Sequence, residues 1–328
     1  MVSSSLTSQY RHTPVMLDEV RDALHMQAGE AFCDCTLGGA GHSSAIAQDI
    51  APGGLLIGID QDDMALEAAG AALESVAPSV TVKLLKGNFA HLDELLLQAR
   101  VPGVDGILFD LGVSSPQLDV ASRGFSYAHA APLDMRMDPA TQTLSAADIV
   151  NGYSEGDIAR ILRLYGEERF SARIAHAIII QRNHASIKTT DELVDIIDKA
   201  IPHAARRTGG NPAKRTFQAL RIEVNGELKA LEDGLDAAIR WLLPKGRIAV
   251  ITYHSLEDRI VKETFSAASR GCICPPDAPV CTCGIKPILT NISRKPLIPT
   301  SGEIDRNPRS RSAKLRGAQK ASGLETDE

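Results

Sequence analysis

Between residues 31 and 111, apolar segments of strand length alternate with segments of helical periodicity. Strands are predicted at residues 31–35, 55–60, 81–86 and 104–111. The nearly continuous apolar run at 55–60 is typical of a parallel strand that is buried on both faces. Helices are predicted between the strands, at about residues 43–49, 63–76 and 91–99. Strands that alternate with helices predict an α/β fold with a Rossmann-like parallel sheet and right-handed crossovers.

The pattern changes at Gly112, after which about a hundred residues show no strand-like sequence. Four segments in this interval have helical spacing or composition: 146–151, 155–164, 167–182 and 190–199. These segments predict a helical domain at 113–215, inserted into a Rossmann-like domain that is formed by residues 1–112 and 216–300.

After the insert, the pattern predicts one long amphipathic helix at 216–243, a fifth strand at 247–253 and a further helix at 256–269. Residues 286–289 and 292–298, each bounded by proline, are candidates for late strands at one sheet edge. Residues 301–328 are basic and poor in large apolar groups, so they are predicted to form a flexible C-terminal tail.

The composition is that of a soluble globular chain. Of 328 residues, 44% are hydrophobic and 23% are charged, which is sufficient for a packed core. The longest apolar stretches fall far short of the roughly 18 residues that a membrane span requires. The first residues lack the features of a secretion signal. We therefore expect a cytoplasmic protein with no membrane partner.

The formal net charge of −6 conceals two basic islands. Residues 199–221 hold six basic side chains and no acid, and residues 286–320 hold nine basic side chains against two acids. Such islands predict surfaces that contact the phosphates of a nucleic acid, because lysine and arginine release the counterions that phosphates condense. A solvated surface is the alternative interpretation of each island.

The six cysteines fall into two groups. Cys33 and Cys35 alternate along the first predicted strand and are interpreted as small, buried side chains. Four cysteines lie near prolines and a glycine in the pattern Cys-x-Cys, six residues, Cys-x-Cys: Cys272, Cys274, Cys281 and Cys283. Their thiolates are compatible with a structural zinc site, although zinc ligand pairs are usually spaced more widely. A zinc site and a metal-free loop both remain open.

Residues at the ends of the predicted strands suggest a nucleotide-type cofactor. The first strand leads into the small-residue turn Leu37-Gly38-Gly39-Ala40-Gly41, and Asp60 ends the second strand. In parallel sheets such turns meet at the carboxyl edge, where a helix N-terminus offers N–H groups and an acid accepts hydrogen bonds from ribose hydroxyls. The alternative is a tight turn with Asp60 as a helix cap.

The glycine pattern distinguishes between cofactors. A dinucleotide motif that starts at Gly39 requires glycine or alanine at position 44, where this chain has Ser44. S-adenosylmethionine needs no pyrophosphate cradle, and it fits an acid at Asp60 and an adenine contact at Phe89 after the third strand. Asp110 ends the fourth strand, where the reactive methyl group would be presented. Phe89 is equally compatible with an ordinary core position.

Seven segments resemble the bacterial ribosomal RNA small subunit methyltransferase H family, in order and over about residues 10–316. They are HTPVMLDE at 12–19, GHS at 41–43, DLGVSSPQLD at 110–119, RGFS at 123–126, DMRMD at 134–138, YGEERF at 165–170 and HSLEDR at 254–259. The resemblance implies S-adenosylmethionine-dependent methylation of N4 of one cytidine, position 1402, in the decoding region of 16S ribosomal RNA. It implies as partner the 16S rRNA, within the small ribosomal subunit, and a Rossmann-like domain interrupted by a helical one.

The resemblance also implies seven cofactor contacts, at Ala40, Gly41, His42, Asp60, Phe89, Asp110 and Gln117. Ala40 departs from the family, which often has glycine at this position. The methyl group of Ala40 is expected to be tolerated if the local φ is negative.

The acceptor chemistry leaves the catalytic base open. The lone pair of cytosine N4 is conjugated into the ring, so a group that accepts a hydrogen bond from the amine is expected. Asp110 and His254 are the candidates. His254 has an alternative interpretation as part of a helix start, with Ser255 as N-cap and Asp258 at the third helical position. Asp134 and Asp138 in the insert are further candidates without geometric support.

Aromatic side chains are expected to receive the base when it leaves its stack. The aromatics in or near the insert are Phe125, Tyr127, Tyr165 and Phe170, most of which are expected to be core.

Three other functions remain possible at this stage. A Rossmann oxidoreductase that uses NAD shares the fold, but the chain lacks its pyrophosphate glycines. A non-catalytic RNA-binding assembly factor shares the basic islands. A DNA amine methyltransferase shares the chemistry, but the sequence after Asp110 lacks the double proline and aromatic residue of many such enzymes.

Overall fold

The computed structural model describes residues 14–76, 78–113, 120–203, 211–271, 274, 283–284 and 286–322. The chain folds as two compact units. The sheet unit comprises Met1–Gly112 and Leu228–Glu328, and the helical unit comprises Val113–Glu227. No helix among the described residues is long and apolar enough to span a membrane.

Within the described residues, seven strands of the sheet unit form one sheet. They are β1 (Ala31–Asp34), β2 (Leu55–Asp60), β3 (Thr81–Lys86), β4 (Val104–Asp110), β5 (Leu242–Thr252), β6 (Leu289–Asn291) and β7 (Lys314–Lys320). The spatial order is β3-β2-β1-β4-β5-β7-β6. Strands β1 to β5 are parallel, and β7 is antiparallel to both β5 and β6. The order reverses between β1 and β4, so the predicted Rossmann-like α/β fold is confirmed.

The helices follow in chain order. The sheet unit begins with α1 (Leu17–Leu24), α2 (Gly41–Ile50), α3 (Asp63–Val76) and α4 (Leu92–Ala99). The helical unit contains α5 (Ala146–Gly152), α6 (Glu155–Gly166), α7 (Ser171–His184), α8 (Thr190–Ala200) and α9 (Ala213–Asn225). The chain then forms α10 (Glu227–Trp241), α11 (Ser255–Ala268) and α12 (Ser301–Arg306).

The sheet is covered by apolar side chains on both faces. Phe32 of β1 and Leu108 of β4 belong to one buried cluster, whereas Cys33 and Phe109, one residue further along each strand, belong to another. Side chains of successive strand residues point to opposite faces, so a strand covered on both sides requires an unbroken apolar run. This explains the continuous apolar segments of the sequence and confirms that Cys33 and Cys35 are buried.

The predicted long helix at 216–243 is wrong, because the chain forms two helices there. Gly226 adopts a positive φ of 60° and ends α9 with a left-handed cap, and α10 starts at the next residue. Phe217 and Leu220 of α9 are buried in the core of the helical unit. The second boundary between the units therefore lies after Glu227 rather than after residue 215.

The predicted flexible tail is also wrong for residues 301–322. This segment contains α12 and β7, and β7 lies between β5 and β6 in the sheet. Leu315 and Ala318 of β7 are buried, with 1% and 0% of their surfaces exposed. The basic side chains of β7, at Lys314, Arg316 and Lys320, hid the strand, because lysine and arginine are rarely found in a strand with covered faces.

Those basic side chains have partners within the sheet unit. Arg316 Nε lies 2.7 Å and Lys314 Nζ 3.0 Å from the two carboxylate oxygens of Asp258 on α11. Burial alone would raise the pKa of Asp258, but the hydrogen bonds from Arg316 and Lys314 outweigh it and lower that pKa. Lys320 Nζ donates to the carbonyl oxygens of Ile239, Arg240 and Leu242, at the end of α10.

The late strands differ from the prediction as well. In place of strands at 286–289 and 292–298, the described residues contain the short β6 and one isolated bridge between Leu297 and Leu315. The fifth strand starts at Leu242, five residues before the predicted start.

Candidate active site

The turn after β1 is organised around a buried carboxylate. Asp34 is 2% exposed, and its oxygens accept hydrogen bonds from the backbone N–H of Thr36 at 3.0 Å and from the hydroxyl of Ser43 at 2.7 Å. Burial raises the pKa of Asp34, and these donors together with nearby His42 oppose that rise. Because Ser43 lies in the first turn of α2, Asp34 fixes the start of this helix relative to β1.

A single hydroxyl connects the ends of β1 and β4. The backbone N–H of Asp110 donates to Thr36 Oγ1 at 2.6 Å. The same hydroxyl lies 3.4 Å from Asp34 Oδ1, to which it donates. The two strands between which the sheet order reverses are therefore bonded to each other at their carboxyl ends, where ligands of open α/β sheets bind.

The end of β2 reaches the same turn. The backbone N–H of Gly38 donates to one oxygen of Asp60 at 2.8 Å, and the N–H of Asp62 donates to the other oxygen at 2.9 Å. Burial raises the pKa of Asp60 to about 6 in spite of these two donors. Each carboxylate oxygen keeps a second lone pair, so Asp60 is an acceptor for two further hydroxyl groups.

The start of α2 is packed against the N-terminal segment. A side chain at Gly41 would place its Cβ 2.7 Å from Pro14 Cγ, so only glycine permits this approach. His42 is 6% exposed, and its Nε2 lies 2.9 Å from the carbonyl oxygen of Val15. A carbonyl only accepts hydrogen bonds, so Nε2 carries the hydrogen of this ring.

 The backbone conformation at position 40 differs from the negative φ that was expected. The residue there, Ala40, has a positive φ of 58° rather than a negative one, and it precedes the first residue of α2. The left-handed region costs an alanine about 1–2 kcal/mol. Its methyl group is fully buried in the apolar cluster that contains Ile46 and Leu108, and this burial offsets part of the cost.

Asp110 lies between a tyrosine and a histidine. Its Oδ1 accepts a hydrogen bond from the Tyr253 hydroxyl at 2.7 Å, and its Oδ2 lies 3.7 Å from His42 Nδ1. Tyr253 follows the end of β5 and was not singled out in the sequence. Its place at the same sheet edge as Asp110 follows from the sheet order, because Tyr253 comes directly after β5, the parallel neighbour of β4.

Phe89 follows β3 in a short 3₁₀ helix, Phe89–His91, and is partly buried. Its ring meets that of Phe109 edge to face, with the centroids 5.5 Å apart. A Cβ at Gly234 of α10 would lie 2.8 Å from the Phe89 ring, so this glycine makes room for it. Phe89 therefore packs against the core of the sheet unit, and its contact with an adenine stays a prediction.

His254 caps a helix. Its Nδ1 accepts a hydrogen bond from the backbone N–H of Glu257 at 3.3 Å, and Glu257 Oε2 accepts from the backbone N–H of His254 at 3.1 Å. This is a capping box, but it is shifted by one residue from the expected pair of Ser255 and Asp258. The cap occupies the Nδ1 lone pair of His254.

The acidic candidates of the helical unit stabilise a turn. Asp134 forms two hydrogen bonds of 2.8 Å with the Arg136 guanidinium, which lower the pKa of Asp134. Asp138 accepts from the hydroxyl of Thr141 at 2.7 Å and from the backbone N–H of Ala140 at 3.1 Å.

The four aromatic candidates also belong to the helical unit. Phe125 is buried in its apolar core, and the other three pack against that core partly buried: Tyr127, Tyr165 and Phe170.

Some predicted residues fall outside the described part of the chain. These are Gln117, Cys272 and Cys281, so the seventh cofactor contact and the zinc site stay predictions. The basic islands are described in part. Arg221 forms a bidentate pair with Glu227, and Arg316 pairs with Asp258, whereas Arg306, Arg309 and Arg311 are exposed. Arg221 and Arg316 are thus paired within the protein, and phosphate contact by the islands stays a prediction.

The sequence profile of the MraW methylase family matches residues 9–321. The chain belongs to this family of methylases. Membership of a methylase family decides against the alternative of an NAD-dependent oxidoreductase. It does not distinguish between phosphate contact and a solvated surface as the role of the basic residues.

Full-length relatives are similar to the chain. Proteins named ribosomal RNA small subunit methyltransferase H from Brevibacillus brevis and a Paenibacillus species are each 54% identical, over 96% and 95% of this chain and 99% of each relative. The relative of that name from Symbiobacterium thermophilum is 51% identical over 95% of this chain and 97% of its own length. Among solved structures, an rRNA methylase from Streptococcus thermophilus is 9% identical, covering 93% of this chain and 94% of its own, with a TM-score of 0.40.

We predict that Gly41→Ala destabilises the protein by about 1–3 kcal/mol, because the new Cβ displaces Pro14 from the start of α2. Urea unfolding of the two proteins measures the difference. Gly152→Ala is the matched control, since a Cβ at Gly152 meets no atom within 4 Å. An unchanged free energy of unfolding in Gly41→Ala would contradict the close packing at this position.

Proposed function

We propose that the protein transfers a methyl group from S-adenosylmethionine to N4 of one cytidine in the decoding region of 16S ribosomal RNA. The observation that carries the proposal is the convergence of Thr36, Asp60 and Asp110 at the carboxyl ends of three neighbouring strands, in a chain of a methylase family. The 16S rRNA is bound within the small ribosomal subunit, and the protein acts in the cytoplasm.

The side chains at this edge fit the cofactor. Asp60 is a largely buried carboxylate whose two oxygens each accept one backbone N–H and can accept one ribose hydroxyl in addition. The turn at Ala40, Gly41 and His42 leads into the N-terminus of α2, whose N–H groups suit the carboxylate of the methionyl part. Phe89 borders the adenine, and Gln117 completes the contacts that the family resemblance implies.

Asp110 is the group that meets the acceptor amine. The cofactor supplies an electrophilic methyl carbon on a sulfonium. When nitrogen bonds to that carbon, the carbon–sulfur bond breaks, the electron pair stays on sulfur and the amine loses one proton. Asp110 accepts a hydrogen bond from the amine, which aligns the nitrogen lone pair with the methyl carbon. Its carboxylate and His42 Nδ1, 3.7 Å away, are the groups placed to hold the released proton.

Exposed arginines supply contacts to the RNA backbone. Arg306, Arg309 and Arg311 lie on and after α12 with exposed side chains. Their guanidinium groups carry a permanent positive charge and match phosphate geometry. Arg316 and Lys314 both pair with Asp258, so these two residues stabilise the sheet unit instead.

We predict that cells lacking the protein lose the N4-methyl group at the target cytidine and that the wild-type gene restores it. Asp110→Ala should restore none, because the amine then has no acceptor, whereas Asp195→Ala, at an exposed position of α8, should restore it fully. Mass spectrometry of 16S RNA fragments measures the modification. Full methylation with Asp110→Ala, or a methyl group on another atom, would refute the proposed reaction.

The pH dependence of cofactor binding should follow Asp60. Below its pKa of about 6 this carboxylate is protonated and no longer accepts from both ribose hydroxyls. We expect the Kd for S-adenosylhomocysteine to be about tenfold higher at pH 5 than at pH 7, because about one carboxylate in ten is ionised at pH 5. Calorimetry measures both values. Asp60→Asn should bind weakly with little change between these pH values, and a flat wild-type profile would rule out Asp60 as the ribose acceptor.

We predict that the triple variant Arg306→Gln, Arg309→Gln and Arg311→Gln binds RNA more weakly. The slope of log affinity against log salt concentration should become shallower by about 2, because each of the three lost phosphate contacts contributes about 0.7. Cofactor affinity should not change. Filter binding at several salt concentrations gives the slope, and the double variant of the exposed Lys229→Gln and Lys262→Gln is the control. An unchanged slope, or a loss of cofactor binding, would show that the three arginines have another role.

A further inference from the structure

Tyr253 contacts Asp110 through the hydroxyl of a partly buried phenol. We propose that Tyr253 is a positioning residue for methyl transfer, whose hydroxyl fixes the orientation of the Asp110 carboxylate toward the acceptor amine. The inference rests on the proposed function, in which Asp110 meets the amine. Its basis is the 2.7 Å hydrogen bond from Tyr253 Oη to Asp110 Oδ1.

Strand register brings the two side chains together. Asp110 is paired with Ile251 on the parallel strand β5, so the side chains of these two residues point to the same face of the sheet. Tyr253 follows Ile251 by two residues and therefore continues on that face, beyond the end of β5. A side chain of tyrosine length at this position reaches back to the carboxylate at the end of β4.

The ring is held in place on several sides. Gly112 has a positive φ of 100°, and a Cβ there would lie 3.3 Å from the Tyr253 ring, so a glycine leaves room for the phenol. The ring packs against the apolar cluster that includes Leu108 and Ile251. The backbone N–H of Tyr253 donates to Glu257 Oε2 at 2.8 Å, which ties the residue to the first turn of α11.

The backbone of Asp110 is fixed independently of its side chain. Its N–H donates to Thr36 Oγ1 at 2.6 Å, and the next residue, Leu111, donates its N–H to the carbonyl oxygen of Ile251 at 3.0 Å. These bonds place the Cα of Asp110 but leave rotation about its side-chain bonds. The phenol restrains this rotation, which decides where the carboxylate oxygens lie relative to an incoming amine.

The phenol is a hydrogen-bond donor throughout the physiological pH range. Burial is the main cause that raises the pKa of Tyr253 well above its usual value, and the negative charges of Asp110, Glu257 and Glu303 raise it further. The hydroxyl therefore stays protonated and donates to the carboxylate. On the other side of Asp110, the His42 ring directs its Nε2–H to the carbonyl oxygen of Val15.

The test compares Tyr253→Phe with the wild type under single-turnover conditions, at saturating cofactor and RNA. We expect the transfer rate to fall about 10- to 100-fold, because a displaced acceptor misaligns the amine. The Kd for S-adenosylhomocysteine and the RNA concentration at half-saturation should change less than threefold. A wild-type rate, or a rate loss accompanied by an equal loss of cofactor affinity, would overturn the positioning role.

Tyr153→Phe is the matched control. The Tyr153 hydroxyl also lies within hydrogen-bond distance of a carboxylate, at 3.2 Å from Glu223 Oε1 in the helical unit. This variant removes the same group from a tyrosine–carboxylate pair that does not include Asp110, so its transfer rate should stay at the wild-type value. A rate loss equal to that of Tyr253→Phe would show a general effect of such pairs on folding and would overturn the inference.

A second readout does not depend on catalysis. The chain has five tyrosines, whose ¹³Cζ signals report hydrogen bonding of the hydroxyl in an NMR spectrum at neutral pH. The signal that is lost in Tyr253→Phe should shift in Asp110→Asn, because a charged acceptor becomes a neutral one. If the wild type transfers no methyl group to the RNA, the proposed function fails and the role of Tyr253 in transfer fails with it, whereas this readout still shows whether Tyr253 is hydrogen-bonded to Asp110. A signal that does not shift would refute the coupling of Tyr253 to Asp110.

Discussion

The Thr36 hydroxyl joins the two strands on which the candidate site depends. It accepts the backbone N–H of Asp110 at the end of β4 and donates to the buried Asp34 at the end of β1. A parallel sheet opens at the point where its strand order reverses, since the connections on either side lead away from each other. One hydroxyl at this point prevents the two strand ends from separating, and the turn that carries Gly38 then reaches Asp60 at the end of β2.

Burial gives this edge its chemical properties. Asp34 and Asp60 both have a raised pKa because they are removed from water, and they accept hydrogen bonds from backbone N–H groups and hydroxyls rather than from lysine or arginine. Asp258 shows the opposite arrangement, since Arg316 and Lys314 neutralise it and lower its pKa. A carboxylate that has no lysine or arginine partner and is not completely buried, such as Asp60, is available to hydroxyl or amine donors of a ligand, whereas a paired carboxylate such as Asp258 stabilises the fold.

The sequence predicted the parallel part of the fold well. Strands β2 and β3 have the predicted limits, and in β2 the apolar run corresponds to a strand whose four central residues are buried. The strand β7 was missed because its basic residues suggest a solvated tail, and their partners, Asp258 and the end of α10, are distant in sequence. The break at Gly226 was missed because α9 and α10 form one continuous helical pattern in the sequence. The structure shows that α9 packs in the core of the helical unit and α10 in the core of the sheet unit.

The candidate site was predictable as a set of strand ends but not as a set of contacts. The positions of Gly38, Asp60 and Asp110 followed from the alternation of strands and helices. The positive φ of Ala40 did not, because an alanine gives no sign of a left-handed backbone. The contact of Tyr253 with Asp110 could be predicted only with the register between β4 and β5. The one-residue shift of the capping box at His254 could be predicted only with the position at which α11 begins.

A crystal structure of the protein with S-adenosylhomocysteine would show directly whether Asp60 and Asp110 border the cofactor. Both ribose hydroxyls should lie within hydrogen-bond distance of Asp60, and the sulfur should face Asp110 across the turn at Gly41. A ligand bound elsewhere on the sheet unit, or a ribose that makes no contact with Asp60, would contradict this arrangement.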